Sequence, residues 1–283
     1  MSLRRIEKTV RGMATSDGAG VKLTRVIGQP ALMELDPFLL LDEFGTDKPE
    51  DYIGGFPSHP HRGFETVTYM LDGRMRHQDN HGHQGVLGPG SVQWMTAGRG
   101  IVHSEMPEQQ QGRMRGFQLW INLPARDKMM PPRYQEYAAD QIPLVPADLL
   151  PSGVAVKVIA GSCRGVRGPI EQPATDPLYL DLSLAADCSV EVPVPTGQTA
   201  FVYVYEGSVA MSVTGDAARI VAPMLAVLSD GDVVLLRGGA VASRAILVSG
   251  RALGEPVARY GPFVMNTRDE IKRAVEDFNN GRF

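Results

Sequence analysis

A chain of 283 residues has room for two domains of ordinary size, and 43% hydrophobic with 21% charged residues is a globular composition. The formal net charge of −4, with acidic and basic residues mixed along the length, leaves no electrostatic footprint for direct nucleic-acid binding. No apolar run approaches the length that crosses a bilayer, and the opening MSLRRIEKTVRGMATSDG lacks the apolar core of a signal peptide. A cytoplasmic protein without membrane contact is expected, with Arg4 and Arg5 as a solvated terminus.

Along the chain, brief runs rich in Val, Tyr, Phe and Leu alternate with turn residues drawn from 31 glycines and 21 prolines. Helical patterns between the strands are almost absent, so the fold class is all-β, a sandwich or barrel. The phrase Val67-Thr-Tyr-Met-Leu-Asp-Gly73 returns as Phe201-Val-Tyr-Val-Tyr-Glu-Gly207. In the same way, Leu87-Gly-Pro-Gly-Ser-Val-Gln-Trp94 matches Leu228-Ser-Asp-Gly-Asp-Val-Val-Leu235. Two tandem β-domains follow, residues 1–140 and 154–283, joined by a proline-rich connection over 141–153. A helix over 267–280 closes the chain. Thr267-Arg-Asp-Glu270 reads as its capping box, Ile271, Ala274, Val275 and Phe278 as its apolar stripe, and Gly281 as its stop. Cys163 and Cys188 are too few for a disulfide framework and are expected to be free thiols.

All six histidines fall between positions 59 and 103. In His59-Pro-His61 two imidazoles at i and i+2 share one face of extended backbone, which Pro60 favours. His103-Ser-Glu105 repeats the spacing with an imidazole and a carboxylate. Side by side inside a barrel, these segments would converge three nitrogens and an oxygen. That set suits one divalent transition metal such as Fe, Ni, Cu, Mn or Zn, with a coordination position left for substrate. Continuing the odd register, Val67, Tyr69 and Leu71 should line an apolar interior beneath the ligands, with Ile101 beside His103. Glu65 has the same parity and competes with Glu105 for the carboxylate position. His81 and His83 read as a solvated turn, and His77 lies on a strand with no assigned role. Carried forward by the repeat, His59 and His61 land on Pro193 and Pro195, and His103 and Glu105 on Arg244 and Ile246. The second domain should therefore be metal-free.

Four phrases resemble the pirin family of the cupin superfamily: Leu40-Leu-Asp-Glu-Phe44, His59-Pro-His-Arg-Gly-Phe-Glu-Thr66, Gln93 through Pro107, and Gly261-Pro-Phe-Val-Met-Asn-Thr267. They span most of the chain. The resemblance implies two cupin barrels, with one metal, usually iron, in the N-terminal barrel. It places the ligands on His59, His61, His103 and Glu105, and it selects Glu105 over Glu65. It implies either of two roles. One is a flavonol (quercetin) 2,3-dioxygenase, in which Glu105 or Glu65 takes the proton of the substrate hydroxyl. The other is an iron-dependent regulator acting through a protein partner, to which Arg62, Arg99 and Arg113 would present the state of the metal. Other cupin chemistry stays open, because fold does not fix function. A monomer is expected, since two barrels in one chain can cover one another.

Overall fold

The structure, a computed structural model, describes residues 2–211 and 219–283. Its strands form two β-units, and each unit is a larger antiparallel sheet packed with a four-stranded one. Among the described residues no helix is long and apolar enough to cross a membrane.

In the unit formed by residues 13–139 and 253–283, the large sheet has seven strands. Their order is Arg133–Tyr137, Val92–Thr96, Phe64–Asp72, Met114–Asn122, Phe38–Thr46, Val21–Ile27 and Met13–Asp17. Facing it are Phe56–His61, Ile101–Pro107, Met75–Asp79 and Gln84–Leu87. The second unit, residues up to Gly12 with 140–252, repeats this plan. Its large sheet runs Ile6–Arg11, Met224–Leu228, Thr199–Glu206, Ser243–Gly250, Leu178–Leu184 and Val154–Ala160. Its small sheet runs Ser189–Pro193, Val233–Gly238, Ser208–Ala210 and Arg219–Val221.

These units divide the chain differently from the expected 1–140 and 154–283. Ile6–Arg11 pairs antiparallel with Met224–Leu228 and covers an edge that would otherwise stay open. In the first unit Arg133–Tyr137 covers the corresponding edge of Val92–Thr96. Arg4 is buried rather than solvated, donating to the carbonyl oxygens of Gln198, Ser229 and Pro195. Residues 141–153 do not hang free. Val145 and Leu150 join the second unit's core, and the Val145 amide donates to the carbonyl of Val156. Cys163 and Cys188 are free thiols, as expected.

The helix Arg268–Asn279 forms as its capping box predicts. The Thr267 hydroxyl accepts from the Glu270 amide, and the Glu270 carboxylate accepts from the Thr267 amide. Thr267→Ala should destabilise the first unit by about 1 kcal/mol, read as a lowered urea midpoint with an unchanged slope.

Candidate metal centre

Ladder pairing brings the two histidine motifs together. Phe56–His61 runs antiparallel to Ile101–Pro107, so His59 stands opposite His103 and His61 opposite Ile101. The ring centroids lie 4.7 Å apart for His59 and His61, 4.5 Å for His59 and His103, and 5.0 Å for His61 and His103. One ligand nitrogen from each falls within 4.8 Å of the others.

The imidazoles are poised as lone-pair donors. His59 Nδ1 lies 2.8 Å from the carbonyl oxygen of Pro57, a contact that puts the proton on Nδ1. Its Nε2 then faces His61 Nε2 at 3.0 Å. His103 is buried, and neither of its nitrogens has a hydrogen-bond partner among the described residues. Burial holds the pKa of His61 and His103 well below the usual imidazole range, and charge on the neighbouring imidazoles would lower it further. The orphaned nitrogens of His103 and the facing Nε2 atoms of His59 and His61 would be costly without a shared cation. The donor set therefore fits a transition-metal ion.

Glu105 is buried on the strand that carries His103, beyond a register shift against Phe56–His61. Both of its oxygens are held: the Thr68 hydroxyl donates to Oε1 at 2.9 Å and the Gln118 amide to Oε2 at 2.9 Å. Glu105 lines the same cavity as His59 and His61, a space of about 570 Å³. Leu23, Leu40, Phe44 and Trp120 form its apolar wall, and Trp120 meets His61 edge-on at 5.2 Å. The sequence reading missed Thr68, Gln118 and Trp120, because nothing in local spacing ties these strands to the histidine motifs.

Glu65 is not brought to this cluster. Phe64 packs against His61 and Trp120, and Thr68 reaches Glu105, so the even-numbered residues of Phe64–Asp72 face the histidines. Glu65 projects from the opposite face and accepts from the Thr96 hydroxyl. Val67 and Tyr69 share that face, not the one beneath the histidines. The physical reason is the turn at Arg62 and Gly63, where Gly63 adopts φ +87° and the chain passes from the small sheet to the large one. Strand parity does not survive a turn.

The remaining histidines lie elsewhere. His81 and His83 are exposed in a turn, where both backbone amides donate to Asp79 Oδ1. His77 is buried, with Nε2 2.6 Å from the Glu136 carboxylate, and this contact lowers the Glu136 pKa. Arg62 is buried as well, paired with Asp277 at 2.8 Å and stacked on Phe283 at 4.3 Å. Arg99 and Arg113 are exposed.

In the second unit the corresponding inward ladder pairs Val190 with Leu236 and Val192 with Val234, all buried. Carrying His103 and Glu105 forward to Arg244 and Ile246 therefore misplaced their counterparts, which fall on Val233–Gly238, whereas Pro193 ends the strand equivalent to Phe56–His61. Leu87 ends a strand of the small sheet, whereas Leu228 ends one of the large sheet, so the matched turn phrases sit one strand apart. Aliphatic side chains stand where the first unit has imidazoles.

Residues 20–121 match the Pirin family, and residues 179–283 match the Pirin C-terminal cupin domain. A pirin-like protein of Caulobacter vibrioides is 53% identical over all of both chains. Mouse pirin is 43% identical over 99% of this chain and 94% of its own. A solved structure of quercetin 2,3-dioxygenase from Acinetobacter baumannii superposes with a TM-score of 0.90 at 34% identity, covering 100% of this chain and 99% of that one. Two β-units on one plan, the three-histidine cluster in the first and these full-length likenesses together place the chain in the pirin family, as a protein of two cupin domains.

Proposed function

We propose that this protein is a metal-dependent dioxygenase of flavonol-type substrates, with His59, His61, His103 and Glu105 holding one divalent transition metal, Fe(II) first among the candidates. One observation carries this reading: three imidazoles each bring one nitrogen within 4.8 Å of the others, and two of them, His59 and His61, line a cavity of about 570 Å³ with aromatic side chains in its wall. The likeness to a quercetin 2,3-dioxygenase structure supports the substrate class. A bound metal would supply Lewis acidity toward the substrate oxygen and a centre for reaction with dioxygen.

The chain's own residues do the rest. Leu23, Leu40, Phe44 and Trp120 would clasp a flat ring system and displace water from it. Burial keeps His61 and His103 neutral near pH 7, so their lone pairs are not lost to protons. Thr68 and Gln118 hold the Glu105 carboxylate in one orientation, from which it accepts the proton of the substrate hydroxyl as general base. Glu65, on the other strand face, has no part in this step.

Gln118→Leu keeps the size and removes the donor to Glu105 Oε2. Supporting groups of this kind are worth about 10- to 100-fold in metal affinity or activity. A tenfold loss in kcat/KM is expected, with the fold intact by circular dichroism.

The decisive test is anaerobic reconstitution with Fe(II), followed by quercetin and air. Flavonol absorbance and released carbon monoxide would be followed together. Loss of flavonol with matching carbon monoxide supports the dioxygenase. Iron bound by these residues with quercetin untouched would sink it in favour of regulation. The cavity favours the enzyme, because a purely regulatory iron site needs no substrate-sized space beside it. The regulatory reading also loses Arg62 as a surface signal, since its guanidinium is committed to Asp277 and Phe283.

A further inference from the structure

Two arginines border the cavity, and their surroundings differ. Arg25 is neutralised in place. Its Nε and Nη2 donate to the two oxygens of Asp42 at 2.9 and 2.7 Å, and Nη2 also reaches Asp17 at 2.8 Å. Arg259, on the short hairpin of Ala258–Tyr260 and Phe263–Met265, has no such partner. Among the described residues no carboxylate oxygen comes within 4.0 Å of it, and its one hydrogen bond is a long 3.4 Å contact to the Leu39 carbonyl. Its guanidinium lies over the Trp120 ring, 4.9 Å from the centroid. A stacked guanidinium keeps its edge N–H groups free for an in-plane acceptor. Desolvation and the nearby charge of Arg25 lower its pKa, opposed by the carboxylates of Asp42, Glu34 and Asp17, and the residue itself is exposed.

Trp120 connects this cation to the histidines, because the same ring meets His61 at 5.2 Å. A flat molecule lying along the apolar wall would thus meet the histidine cluster on one side and a cation without a direct ion-pair partner on the other. We propose that Arg259 is a specificity-determining residue that selects planar aromatic anions, pairing its free N–H edge with an ionised oxygen of the bound ring. This deepens the functional reading above and rests on the cavity being the substrate site. It identifies the substrate class by charge: a fused-ring phenolate, enolate or carboxylate is bound ahead of its neutral counterpart.

The test needs neither metal nor turnover. Metal-free protein would be titrated calorimetrically with 2-naphthoate and with 2-naphthamide, which share a ring system and differ in charge. Wild type should bind the acid about tenfold or more tightly than the amide. In Arg259→Gln that preference should vanish while amide affinity holds, and Arg259→Lys, which keeps charge but not the planar fork, should fall between. Thermal midpoints matching wild type would show that the variants fold. A preference that persists in Arg259→Gln overturns the proposal, as does a wild type that binds both compounds equally or neither. Failure of quercetin turnover would leave this result standing, and loss of charge selectivity would leave the dioxygenase assay standing.

Discussion

Alanine at His103 should lower metal affinity by more than about a hundredfold, since removing mere outer-shell partners of a ligand already costs 10- to 100-fold. The expectation follows from the geometry of the ring. His103 stands opposite His59 in the ladder, and both of its nitrogens are buried with nothing described to bond them. Deleting the ring removes those orphan groups while opening a cavity, two effects of opposite sign and similar size, each about 1–3 kcal/mol. Metal-free His103→Ala should therefore melt close to metal-free wild type. The two proteins should part only when Fe(II) is added, because a ligand that binds the folded state raises the midpoint. Iron retained after gel filtration, measured alongside the melts, completes the comparison. A variant that keeps one equivalent of iron and gains the same midpoint shift would remove His103 from the site. Quercetin turnover should disappear with the metal.

Lys128→Met should be the most destabilising single change away from the cluster, by about 3–5 kcal/mol. The Lys128 side chain is almost wholly buried, and its Nζ donates to the Gly63 carbonyl at 2.7 Å, to Asn122 Oδ1 at 2.6 Å and to the Val264 carbonyl at 3.1 Å. It ties the turn that follows the His59–His61 strand to the hairpin bearing Arg259. Methionine fills the space but leaves three buried acceptors without their donor. The same residue gives a pH signature. Burial lowers its pKa to about 8, below the usual lysine value of 10.5. Between those values the unfolded chain binds more protons than the folded one, so this group makes stability rise with pH across that window. Below pH 8 its penalty is constant. Chemical unfolding at pH 7.5 and at pH 10 should show the wild-type advantage over Lys128→Met widening, by up to about 3 kcal/mol at the full shift. An advantage that is flat or shrinking would mean that the acceptors hold the ammonium charged throughout.

Much of this architecture can be read along the chain because it rests on local rules. Alternating apolar runs and turn residues specify strands, and the repeated strand-and-turn phrase marks two copies of one plan. The Thr267 capping box and the spacing of Ile271, Ala274 and Val275 specify the terminal helix within a residue or so. The histidine cluster was legible for a related reason. Extended backbone puts i and i+2 on one face, so one motif carried two histidines of the cluster and the other the third, and only their pairing had to be supplied.

What the sequence could not determine depends on contacts between distant strands. Parity failed at Gly63, where a turn with positive φ reset the face and sent Glu65 away from the histidines. The repeat offset failed for His103 and Glu105 because the turn phrases after Leu87 and Leu228 join different strand pairs in the two units. Strand edges were filled from far away in the chain, by Ile6–Arg11 against Met224–Leu228, since an open edge accepts any segment that satisfies its N–H and C=O groups. Local pattern alone determined the elements and the histidines of the cluster in the first unit. Tertiary structure decided which carboxylate shares the cavity with the histidines, that Thr68 and Gln118 hold it, and that Arg259 reaches the cavity. Each of those depends on which strands lie side by side, and hydrogen-bonded pairing between segments up to about two hundred residues apart leaves no mark in either segment's own spacing.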